Sequence, residues 1–180
     1  MIECGADINK ENKYGETPFF SACSSGNEAL VKFLIKYGVE VNKETKDDKT
    51  PFFSACSSGN EALVKYLIGF GANINKETEG GETPIFKACR SGNEALVKYL
   101  VELGEDINKY NKYYIAPFIE ACGCGTVSLI EYLVELGADI NWESAFGTPL
   151  LRACNYGNKP VVNYLVEHGV DINAVDPFFL

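Results

Sequence analysis

The chain has 180 residues, 46% of them apolar and 23% charged, a balance that excludes disorder over most of its length and suffices for one domain with a packed core. Net charge is −9, with 11 basic and 13 acidic groups in residues 1–90 against 5 and 12 in residues 91–180, so a nucleic-acid backbone or an anionic membrane is repelled, most strongly by the second half. No apolar run approaches the roughly 20 residues of a membrane span, and the start MIECGADINK lacks the basic segment and apolar stretch of a secretory signal, which places the expectation in the cytoplasm or nucleus.

The first predicted element opens at Thr17-Pro18. The Thr17 hydroxyl is expected to cap free N–H groups, and Pro18 suits the first helical position, where a missing N–H costs nothing. Gly26 can take the left-handed conformation that ends a helix, and Asn27 is a good N-cap for the next. That second helix carries Leu30, Val31, Phe33 and Leu34, an apolar stripe at helical spacing. Gly38 stops it, and the polar Lys43–Lys49 stretch reads as a turn-rich excursion. The unit is helix, tight turn, helix, protruding loop.

The unit then recurs. TPFFSACSSGNEALVK at Thr17–Lys32 returns unchanged at Thr50–Lys65, and related strings begin at Thr83, Ala116 and Thr148, with spacings of 33, 33, 33 and 32. A second phrase keeps step: GADIN at Gly5, GVEVN at Gly38, GANIN at Gly71, GEDIN at Gly104, GADIN at Gly137 and GVDIN at Gly169. One such unit cannot bury both faces of its helices, so neighbours must stack.

A 33-residue period with T-P-x-x-x-A, a central Gly-Asn and a closing G-A-D-I-N resembles the ankyrin repeat family over about Gly5 to Asn173. The resemblance implies an all-α solenoid, a stack of helix-turn-helix units with protruding β-turn loops, whose first helices and loop tips line a concave, partner-binding face. Residues 1–180 read as one domain: a partial unit over 1–14, repeats over 15–47, 48–80, 81–113, 114–145 and 146–174, and a tail or truncated repeat over 175–180. Two departures from the family pattern stand out. Phe20, Phe53, Phe86, Ile119 and Leu151 occupy the family's His position, which predicts a more apolar seam. The ends are abrupt: Met1–Cys4 aligns with Leu34–Tyr37, and Asp176–Phe179 echoes Thr17–Phe20, as in a piece of a longer array.

Chemistry-bearing residues are few. Cys23, Cys56, Cys89, Cys122 and Cys154 hold one repeat position and are expected as small, buried, reduced core residues, because packed helices lie about 8–10 Å apart and a disulfide needs less than roughly 7 Å. Cys122 and Cys124, two apart on one helix, would face different ways, so no zinc site is expected. His168 has no partner histidine and suits a helix C-terminus. Paired acids such as Asp47-Asp48 and Glu105-Asp106 read as solvated loop charge. No nucleophile, phosphate-loop or metal motif occurs, so neither an enzyme nor a cofactor is expected. Asn42, Asn75, Asn108 and Asn141 are expected to brace the loops by side-chain to backbone bonds; the resemblance also makes such Asn residues candidates for hydroxylation.

Positions that vary within identical frameworks are the ones the family uses for contact. Early repeats offer a polar set: Lys13, Tyr14, Glu16, Ser24, Ser25, Lys46, Asp47, Lys49, Ser57 and Ser58. Later ones offer Tyr110, Tyr113, Tyr114, Ile115, Trp142, Phe146 and Tyr156. Exposed aromatics in polar loops are typical interface anchors; the competing reading folds them back over the irregular fourth and fifth repeats. The partner expected is a protein or peptide, basic and bearing apolar anchors, bound by a monomer or a weak end-to-end assembly. The rival expectation is a structural piece of a longer array that stacks end to end, with recognition elsewhere. Ala116, in the place of a capping Thr, together with Gly123 predicts a weak fourth repeat.

Overall fold

The structure, a computed structural model, describes residues 7–174. The repeat-like segments Met1–Cys4 and Asp176–Phe179 lie outside the described residues. Within them run ten helices: α1 (Pro18–Ser24), α2 (Glu28–Lys36), α3 (Pro51–Ser58), α4 (Glu61–Gly69), α5 (Pro84–Ser91), α6 (Glu94–Glu102), α7 (Pro117–Cys122), α8 (Val127–Glu135), α9 (Pro149–Asn155) and α10 (Lys159–Glu167). Among the described residues β pairing is confined to an isolated Ser144–Gly147 bridge. The fold is an all-α solenoid.

The odd-numbered helices pack closely in series, α1 on α3 on α5 on α7 on α9, while the even-numbered helices form a looser second row. One core runs through the stack. Phe19, Phe52, Ile85 and Phe118 are fully or almost fully buried at one repeat position, and Leu67, Leu100, Leu133 and Leu165 are fully buried at another. Each such side chain contributes roughly 1.5–3 kcal/mol by leaving water. The seam is apolar and buried at four of the five expected places, Phe20, Phe53, Phe86 and Ile119, while Leu151 in the last repeat is only half-buried. In the first repeat the apolar stripe is only half covered. Val31 and Leu34 are buried, whereas Leu30 and Phe33 are exposed; in later repeats the equivalents Leu63, Leu96 and Leu129 are fully buried and Tyr66, Tyr99 and Tyr132 half-buried.

The caps differ from the sequence reading. Thr17, Thr50 and Thr83 make no side-chain cap, and only Thr148 among these threonines accepts from Leu151 N–H, at 3.3 Å. The hydroxyl of Thr50 is instead buried without a hydrogen-bond partner, and that of Thr83 is buried beside the Glu105 carboxyl. Ala116 therefore loses no capping bond. Gly123, with φ −78°, lies just past the end of α7 rather than inside it. The asparagines do more than cap. Asn60 accepts from Leu63 N–H at 3.0 Å, and its amide donates to Gly26 C=O of the preceding repeat at 2.8 Å. Asn93 does the same with Leu96 and Gly59. Thr126 stands in this place in the fourth repeat, makes no cap bond and has no amide with which to reach back. The missing bonds of that repeat are therefore at Thr126 and not at Ala116.

Each loop closes on itself and on the next. Asn12, Thr45, Thr78 and Asn111 donate N–H to the carbonyls of Glu16, Lys49, Glu82 and Ile115. Between tips, Lys46, Glu79, Lys112 and Ala145 donate N–H to Tyr14, Asp47, Gly80 and Tyr113 at 2.9–3.2 Å. A continuous backbone ribbon thus joins the five tips. Two of the four closing asparagines work between repeats rather than within their own loop: Asn42 accepts from Asn73 N–H at 2.9 Å, and Asn141 accepts from Asp171 N–H at 2.8 Å, whereas Asn75 and Asn108 brace nothing with their side chains among the described residues.

Candidate protein-interaction surface

Two lines of side chains run along the loop side of the solenoid. At the tips stand Tyr14, Asp47, Gly80, Tyr113 and Phe146, each the donor or acceptor site of the ribbon or its neighbour. Tyr113 and Phe146 are 44% and 65% exposed, with ring centroids 5.5 Å apart. They form one aromatic ridge across two adjacent tips. A groove of about 270 Å³ runs beside it, lined in part by Asp47, Glu79, Lys112 and Tyr113.

Nearer the loop bases lies a ladder of inter-repeat pairs. Glu11–Lys43, Glu44–Lys76 and Glu77–Lys109 are ion pairs. In the next rung both partners are exchanged, and Tyr110 meets Trp142 with centroids 5.7 Å apart. Tyr114 stacks on Tyr110 at 5.5 Å, and its carbonyl accepts the Trp142 indole N–H at 2.5 Å. Tyr114 also holds φ 57° at a tip position filled elsewhere by Gly15, Asp48, Gly81 and Gly147. A bulky residue adopts this region only when its surroundings enforce it; the loop imposes it in every repeat, and the stack on Tyr110 then holds the ring. Ile115 is half-buried against the core.

The seven residues singled out in the sequence thus fall into separate groups. Tyr110, Tyr114 and Trp142 are brought together as an inter-repeat stack; Tyr113 and Phe146 form the ridge; Ile115 packs inward. Tyr156 stands apart at the end of α9, 59% exposed, beside the Arg152 guanidinium at 4.7 Å.

The sequence reading missed the charged centre of the inner helices. Glu120 on α7 is 2% exposed. It accepts from Arg90 Nε and an Arg90 terminal nitrogen at 2.8 and 2.6 Å, and from Arg152 at 2.7 Å. Burial alone would raise this carboxyl; the hydrogen bonds and charge of Arg90, and the charge of Arg152, hold it below the usual carboxylate range. The clue lay in one repeat position, which runs Ser21, Ser54, Lys87, Glu120, Arg152. Glu105 is a second surprise. It was expected in solvent but is 7% exposed, where other repeats carry Val39, Ala72, Ala138 and Val170. Burial pushes its carboxyl up to about 7, with the Thr83 hydroxyl only partly offsetting this.

The cysteines follow the expectation in four places and not in the fifth. Cys23, Cys56, Cys89 and Cys122 are buried and free, and burial raises their thiols. Cys154 is exposed, and Cys124 lies beyond the end of α7 instead of sharing its helix. His168 stacks on Tyr164 at 3.9 Å, with Nδ1 2.7 Å from the Tyr164 carbonyl. Among the described residues no three His, Cys, Asp or Glu side chains gather as metal ligands, and no helix is long and apolar enough to cross a membrane.

Known proteins were then compared with this geometry. A search of curated proteins returns no match. The chain is similar to the human ASB11 ankyrin repeat domain, known from a crystal structure, at 32% identity and a TM-score of 0.70, over 88% of this chain and 72% of that one. The family model for ankyrin repeats (3 copies) matches residues 1–78, 38–111, 56–141 and 106–176. Ankyrin repeats are in general protein–protein interaction modules without catalytic chemistry of their own. With its period and its helix pairs in that pattern, the chain belongs to the ankyrin repeat family.

Proposed function

We propose that the chain is a rigid scaffold that binds a partner protein or peptide through the loop tips and inner face of its fourth and fifth repeats. The observation that carries this reading is the Tyr113–Phe146 ridge. Two large, exposed rings are fixed together before any partner arrives, by their own contact and by the Ala145 N–H to Tyr113 C=O bond at 2.9 Å. Little ordering entropy is then lost on binding, and aromatic anchors of this kind carry most of an interface's energy.

Charge supports a basic partner. On the inner helices Lys87, Arg90 and Arg152 are tied to the chain's own Glu82 and Glu120. The acids of the loops, Asp106, Asp139 and Glu143, stay exposed. The free thiols in the core support a reducing compartment, cytoplasm or nucleus.

The test begins with proximity labelling to obtain a partner. Tyr113→Ala and Phe146→Ala are each expected to weaken it by about 2 kcal/mol or more, roughly 30-fold. Lys13→Ala and Lys46→Ala, in the early loops, are expected to change little. If the early-loop changes weaken binding more, the site is misplaced; if the aromatic changes unfold the protein, the ridge is packing and not an interface.

A further inference from the structure

The fourth repeat differs from its neighbours in two nearby places. Ala116 replaces Thr17, Thr50 and Thr83, and the Tyr110–Trp142 rung replaces a Glu–Lys pair. Where these exchanges meet lies a cavity of about 210 Å³, lined by Asn108, Ala116, Phe118, Ala138, Asp139 and Trp142, with Gly137 at its edge.

Its chemistry is one-sided. Ala116, Phe118 and Ala138 give an apolar floor. One wall is the Trp142 indole, fixed in place by its N–H bond to Tyr114 and its contact with Tyr110. Asp139 is the one charged residue of the lining. Helix α8 ends at Glu135 and its chain runs directly into Gly137–Asp139, so the negative end of its dipole falls at the same rim. An aromatic face, a carboxylate and a helix C-terminus over an apolar floor together favour an amphipathic cation.

We propose that this cavity is a socket for a lysine or arginine side chain of a partner peptide, its stem against Phe118 and Ala138 and its cationic head between Asp139 and Trp142. The proposal rests on the binding reading above and names the partner's chemistry at one point of contact. It asks for no change in the backbone.

Trp142 is the only tryptophan of the chain, so the socket carries its own reporter. The probe is n-butylguanidinium chloride titrated into the full chain at constant ionic strength, read by Trp142 emission and by amide NMR shifts. Neutral n-butylurea and anionic pentanoate are the comparisons. The guanidinium is expected to saturate on the order of millimolar, as suits a fragment of this size. The urea should bind about threefold more weakly, and pentanoate not at all. Shifts should centre on Asn108, Ala138 and Asp139. Asp139→Asn should bring the cation down to the level of the urea, and Ala116→Leu should fill the cavity and remove binding with helical dichroism intact. Should Ala116→Leu unfold the chain, Asp139→Asn alone decides. Equal binding of all three probes, no saturation, or shifts elsewhere overturns the socket. A chain that captures a partner through Tyr113 and Phe146 yet ignores the cation keeps the binding reading and loses the socket. A chain that binds the cation at Asp139 while no partner depends on the ridge does the reverse.

Discussion

Glu105 and Glu120 are both buried, and they respond to pH in opposite directions. Glu105 forms no ion pair among the described residues; burial raises its carboxyl from an ordinary 4.5 to about 7. The folded chain therefore holds this proton more tightly than the unfolded chain. The stability it confers is fully present below about 4.5 and is lost as pH rises through about 7. Glu105→Ala, which copies Ala72 and Ala138, is expected to stabilise the protein by about 2 kcal/mol at pH 8 and hardly at all at pH 5. Urea melts at the two pH values check this, and an equal gain at both would refute it. For Glu120 the sign reverses. Its carboxyl is held below the ordinary 4.5 by Arg90 and Arg152, so its contribution is present above that value and lost as pH falls through the lowered one. Glu120→Gln keeps the shape but leaves two guanidinium groups underpaired, at an expected loss of about 2 kcal/mol or more at pH 7. The loss should shrink toward pH 3. A thermal midpoint at pH 7 equal to that of the parent chain would mean that the cluster is neutral to stability.

At the scale of the element, the inter-repeat asparagines decide where the array opens. Asn60 and Asn93 each cap one helix and hold the preceding repeat; Thr126 makes no cap bond. Thr126→Asn is expected to gain about 1 kcal/mol, and Ala116→Thr close to nothing, since Thr17, Thr50 and Thr83 do not cap. Hydrogen exchange in α7 and α8 should be faster than in α3 and α4, and Thr126→Asn should slow it; a gain from Ala116→Thr alone would restore the threonine cap. The helices, their glycine and asparagine punctuation and the apolar seam were legible in the sequence because each depends on near neighbours and on a period. The threonine hydroxyls were misjudged because their burial is set by the adjacent repeat. Glu105 and Glu120 were missed for the same reason: stacking buries them, and no local pattern marks it. Of the seven candidate site residues, the sequence could place six in loops and Tyr156 at a helix end, but could not separate the Tyr113–Phe146 ridge from the Tyr110–Tyr114–Trp142 stack, because that division depends on which ring meets which across the repeat boundary.

For the whole molecule, the rungs at the loop bases set how the repeats respond to their medium. Three rungs are Glu–Lys pairs whose side chains are partly exposed, and each contributes little, less as salt screens it. The fourth is a contact between two rings, which salt does not screen and which the apolar effect maintains. Raising sodium chloride therefore loosens the first three boundaries and spares the last. The array behaves as a zip with one seam of a different material. In concentrated brine the three Glu–Lys rungs should weaken first, and the contact of Tyr110 with Trp142 should be the last rung to part, at the very boundary that lacks an asparagine link.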